Sequence, residues 1–199
     1  MITLQAVHRS LAALSASCGL LCIARADYNM TNYGPVAPYS EPSRLVDALA
    51  YIDQNNAQLH DEIAADINSG AVDVAEISGT GFGGMSDADT VALDKSMDMK
   101  ETAATLVHEW HHIKQMRGYV NPSGVQERDI SAACQEFYAY NAELAFYCSL
   151  MLEPPPWGTI PCSIYEAAQC HAEEYLLDCT PPPEEGLSVT SCTVVDCSD

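Results

Sequence analysis

From Leu45 onward, apolar residues recur at helical spacing. Leu45, Leu49, Ile52, Leu59, Ile63 and Ile67 fall on one helical stripe, and Gly70 supplies the stop. Ser40 is placed to cap this segment with Pro42 in its first turn, and the polar pair Asn55–Asn56 divides it into two helices. Val72, Val74 and Ile77 then predict a short strand, and Thr90–Leu93 a second. Between them, Gly79 to Gly84 form a glycine-rich loop. It lacks the Lys-Ser/Thr of a phosphate-binding loop and opens no helix, so it reads as a hairpin or a flexible rim. Asp98 with Glu101 three residues on makes a capping box, and the helix it starts runs to Gly118. After the turn Asn121–Gly124, a long helix is expected over 125–152, ended by Pro154–Pro156. One more amphipathic helix fits between Cys162 and Cys179. The pattern is that of an α+β chain, mostly helical, with a small sheet ahead of the helix that begins after Asp98.

The first 26 residues stand apart. Arg9 precedes an apolar run from Leu11 to Ile23, and Ala24-Arg25-Ala26 places small residues where a signal peptidase reads. The run is too short to span a bilayer as a finished helix. Residues 1–26 are therefore expected to be a secretory signal, with an uncleaved anchor or a lipid on Cys18 as weaker alternatives. Residues 27–199 carry six Lys/Arg against 28 Asp/Glu, a formal charge of −22. Nucleic acid and anionic membrane are bound through basic patches, so neither is an expected partner. Seven cysteines lie beyond residue 26, six of them between Cys148 and Cys197, a density that belongs to an oxidising compartment. A secreted, periplasmic or otherwise extracellular protein is expected. It divides into a domain over 27–153 and a Cys/Pro-rich tail over 154–199 that packs on it, since the tail is too short for a core of its own.

The segment Thr105-Leu106-Val107-His108-Glu109-Trp110-His111-His112 contains H-E-x-x-H in mid-helix. Residues four apart lie one above the other on a helix, so His108 and His112 can approach one tetrahedral Zn²⁺. Glu109 is rotated off that face, where it can act as the base toward an activated water. His111, three residues after His108, is a rival ligand but reads better as a supporting or surface residue. A di-iron carboxylate bundle would need a second Glu-x-x-His pair, which the chain lacks.

These residues resemble the zincin metallopeptidases, and among them the gluzincins, over roughly residues 70–150. The metzincin branch needs Gly and then His or Asp where this chain has Gln115 and Gly118. The resemblance implies a Glu on a later helix as third metal ligand, with the fourth position left for water. Glu136, with 23 residues between it and His112, fits that place. Glu143, roughly 10 Å further along the same helix, and His171 in the tail are the alternatives. The resemblance also implies hydrolysis of a peptide or protein substrate, with Thr90–Leu93 as the edge strand receiving it. Tyr119, Tyr138 and Tyr140 are candidates for steadying the oxyanion. The competing reading is a non-catalytic, disulfide-stapled export module whose zinc is structural, closed by a cysteine such as Cys134 or by His171.

Overall fold

The computed structural model describes residues 37–78, 83–151, 162–179 and 188–190. The expected signal segment and most of the expected tail lie outside the described residues. Strand β1 (Ala37–Pro38) leads into α1 (Pro42–Asn55) and α2 (Ala57–Ser69). The division falls at the asparagine pair: Asn56 ends α1 and caps α2, its Oδ1 accepting from Leu59 N–H at 3.1 Å. Gly70, at φ +71°, closes α2 in the left-handed conformation that glycine adopts without a Cβ clash. Ser40 does not cap α1. The N-cap is Glu41, and the Ser40 amide and hydroxyl both donate to the Glu76 carboxylate, a partner 36 residues away that spacing does not reveal.

β2 (Asp73–Ile77), β3 (Gly84–Ser86) and β4 (Thr90–Asp94) complete a four-stranded sheet in the order β1-β2-β4-β3. β2 and β4 run parallel, with Val74 opposite Val91; β3 folds back antiparallel on β4, with Met85 opposite Ala92. Side chains alternate across β4. Val91 and Leu93 join the main core, while Ala92 joins Ala75, Ile77 and Met85 on the other face. The expected edge strand is thereby corrected. Thr90–Leu93 is paired on both sides, and β3, drawn from the end of the glycine-rich loop, ends the sheet among the described residues.

α3 (Met99–Met116) begins at a complete capping box. Asp98 Oδ1 accepts from Lys100 and Glu101 N–H at 2.8 and 2.9 Å, and Glu101 Oε2 accepts from Asp98 N–H at 2.8 Å. Ala103, Leu106, Val107, Trp110 and Ile113 bury one face of α3 against Tyr51, Ile52, Phe137, Leu144 and Phe146. The remaining face carries Thr105, His108, Glu109 and His112.

The long helix expected over 125–152 starts later, as α4 (Ala132–Met151). Asn121 Oδ1 accepts from Ser123 and Val125 N–H, each at 3.0 Å, and Gly124 sits at φ +83°. Val120 and Gln126 bridge, and Glu127–Asp129 form a 3₁₀ turn. These local bonds hold 120–126 in a hairpin, followed by the 3₁₀ turn, and a helix would break both. α5 (Cys162–Asp178) packs its Tyr165, Ala168 and Ala172 into the same core. A disulfide joins Cys134, at the start of α4, to Cys179, just beyond α5; Cys148 and Cys170 are disulfide-bonded as well. The first of these closes a separation of 45 residues. A Cys134→Ala/Cys179→Ala protein is expected to unfold at lower denaturant, with a stability loss of about 2–4 kcal/mol by urea titration. No helix among the described residues is long and apolar enough to cross a membrane.

Candidate metal centre

His108 and His112 project from α3, and Glu136 reaches them from the second turn of α4. The two Nε2 atoms are 3.2 Å apart, and Glu136 Oε2 lies 3.4 Å from one and 3.5 Å from the other. The three donors thus form a compact triangle that could hold a metal ion. All of the ligands expected from sequence meet here.

Both histidines are supported from behind. His108 Nδ1 contacts Glu143 Oε2 at 3.2 Å, and Tyr147 donates its hydroxyl to Glu143 Oε1 at 2.8 Å. Glu143 therefore addresses the nitrogen of His108 that points away from the triangle, and Glu136 alone of the two joins the donors. His112 Nδ1 contacts Gln115 Oε1 at 2.8 Å. Glu109 lies beside the triangle and accepts from Ser86 Oγ of β3 at 2.8 Å.

Other candidates fall elsewhere. His111 faces Glu127 at 2.7 Å and is not part of the triangle. Cys134 is committed to its disulfide. His171 of α5 stacks on Tyr140, ring centroids 5.1 Å apart, rather than joining the donors. Of the three tyrosines, Tyr140 packs edge-on against His108 at 4.3 Å and lines the pocket beside the site. Tyr119 is held against His111 and under the Lys114 ammonium, and Tyr138 packs on Phe137.

Two buried carboxylates, Glu109 and Glu136, and the partly buried Glu143 surround two imidazoles and create a strong demand for positive charge. Burial works against ionising His108, but Glu136, Glu143 and Glu109 outweigh it and hold the imidazole well above its ordinary value. Burial also opposes charge on Glu136, yet its contacts with both histidines bring it down to about 2. Glu109 moves the other way. Burial raises it, and the neighbouring histidines and Ser86 only partly offset that. A carboxylate raised by burial is one that can hold a proton for a time, the property a general base needs.

Next to the donors opens a pocket of about 160 Å³. Gly83, Gly84 and Thr105, Tyr140 and Glu143, and the site residues His108 and Glu109 line it. Gly84 lets β3 lie directly on α3: a Cβ there would fall 2.8 Å from Glu109 Cγ and closer still to Thr105. Gly84→Ala is expected to push β3 off α3, break the Ser86–Glu109 bond and cost about 1–3 kcal/mol by chemical denaturation. Nothing local in the sequence marks Ser86, Gly84, Gln115 and Glu127 as supporting residues. Only their closeness in space to the H-E-x-x-H helix does so.

Compared with known proteins, the chain matches no family model, no curated protein and no solved structure.

Proposed function

We propose that the protein is a secreted zinc-dependent metallopeptidase of gluzincin type, with His108, His112 and Glu136 holding the ion and Glu109 as general base. The observation that carries this reading is the triangle of donors with Glu109 beside it. Zinc bound at about 2.0–2.1 Å in a tetrahedron keeps its ligands about 3.3 Å apart. The separations of 3.2, 3.4 and 3.5 Å fit that figure. Two imidazoles and one carboxylate are also the ligand set of open catalytic zinc sites rather than of closed structural ones. Neither Cys134 nor His171 joins them, which weighs against the structural-zinc alternative.

A zinc ion held there would supply Lewis acidity and lower the pKa of water in the site to about 7. The chain does the rest. Glu109, oriented by Ser86, accepts a proton from the attacking water as it adds to the peptide carbonyl. As the C–N bond breaks, Glu109 passes that proton to the departing nitrogen. Tyr140, which lines the pocket, is the candidate donor to the carbonyl oxygen as charge develops on it. β3 supports a peptide rather than a small-ester substrate. Among the described residues its outer edge ends the sheet beside the pocket, and an extended chain can add to such an edge by main-chain hydrogen bonds. The cysteine density, the disulfides and the signal-like residues 1–26 support export.

The test is digestion of a mixed peptide library by the zinc-loaded protein. Cleavage that a chelator stops and added zinc restores is expected. A protein that keeps stoichiometric zinc and cleaves nothing belongs instead to the structural-module reading.

A further inference from the structure

Gln115 lies three residues after His112 on α3 and is fully buried. Its Nε2 donates to Glu127 Oε2 and to the Gln135 carbonyl, both at 2.9 Å, and its Oε1 faces His112 Nδ1 at 2.8 Å. A backbone carbonyl can only accept, so the amide cannot be turned over without setting its oxygen against that of Gln135. The oxygen must be what meets the imidazole. An amide oxygen in turn only accepts, which puts the proton of a neutral ring on His112 Nδ1. The Nε2 lone pair is then left facing His108 and Glu136.

We infer that Gln115 and Glu127 are positioning residues that lock His112 in its Nδ1–H form and fix the spacing of the two ligand-bearing helices. The second part rests on where the amide grips α4. Gln135 immediately precedes Glu136, so one bond ties α3 to the backbone that carries the third donor. Glu127, buried to 1% exposure, is held between Gln115 and His111, whose Nε2 lies 2.7 Å from the same carboxylate oxygen. His111 thus serves the site at one remove, through Glu127 and Gln115 to His112. Outer partners of this kind orient a ligand ring and raise its basicity.

The affinity part of this inference rests on the zinc reading; the tautomer part does not. Long-range ¹H–¹⁵N NMR of the metal-free, full-length chain at alkaline pH reads the His112 tautomer directly, and the Nδ1–H form is expected. Gln115→Met keeps the side-chain shape without the amide. It is expected to give a mixed tautomer and to weaken zinc uptake about 10–100-fold in competition with a chromophoric chelator. Glu127→Gln retains an acceptor for Gln115 and is expected to stay below a roughly tenfold loss. An Nε2–H or mixed ring in the wild type overturns the inference, as does an unchanged zinc affinity in Gln115→Met. If Gln115→Met does not fold, the wild-type tautomer decides alone. A wild type that takes up no zinc defeats the metal reading, and the tautomer still judges this one.

Discussion

Glu109→Gln is expected to leave zinc bound at one per chain while lowering kcat/KM for peptide hydrolysis by about 10²–10⁴-fold. The substitution is nearly isosteric. A glutamine oxygen can still accept from Ser86 Oγ, so the bond that now measures 2.8 Å survives, and β3 stays seated on α3. What disappears is the ability to take up a proton. The loss should therefore fall on kcat, with KM little changed, because the group matters in the transition state more than in the bound substrate. Metal analysis and steady-state kinetics on the same preparation check both halves. Retained hydrolysis would assign the base elsewhere, and loss of zinc together with activity would make Glu109 a ligand.

Removing Glu136 is expected to have the largest effect on metal binding. Glu136→Ala takes away one corner of the triangle and leaves two imidazoles facing each other at 3.2 Å. Zinc affinity, measured by chelator competition, should fall by more than the roughly 10–100-fold typical of a lost outer partner. Glu143→Gln should fall within that range, since Glu143 meets the three donor residues only at the far nitrogen of His108. The order of the two losses is the content of this prediction. If Glu143→Gln costs more than Glu136→Ala, the third ligand has been misassigned.

How much of the fold and the site is legible in the sequence depends on the range over which each signal acts. Helical spacing, the Asn55–Asn56 break, the Asp98 capping box and the His108–His112 pair are all set within four residues, and each is readable. Glu136 can be named only because a later helix is expected to carry an acid. Choosing it over Glu143 requires the crossing of α3 and α4, seven residues being enough to move the carboxylate to the other side of His108. Strand pairing misleads for a similar reason. Thr90–Leu93 has the stronger β pattern, but strength of pattern marks burial, and a strand paired on both sides is the more buried one. The three-residue β3 has too little alternation to register, yet among the described residues it forms one edge of the sheet and carries Ser86. Composition places the start of α4 too early because residues 125–131 are helix-compatible. The Asn121 side chain and the Val120–Gln126 bridge override that preference. Gln115 and Glu127 carry no signal at all, being ordinary polar residues until the fold buries them together.

The most direct test of the metal centre is a zinc K-edge X-ray absorption spectrum of the full-length chain carrying one zinc. Two imidazoles and oxygen ligands at about 2.0–2.1 Å are expected, with no sulfur in the shell. A sulfur ligand at about 2.3 Å, or a chain that retains no metal, would contradict the assignment of His108, His112 and Glu136.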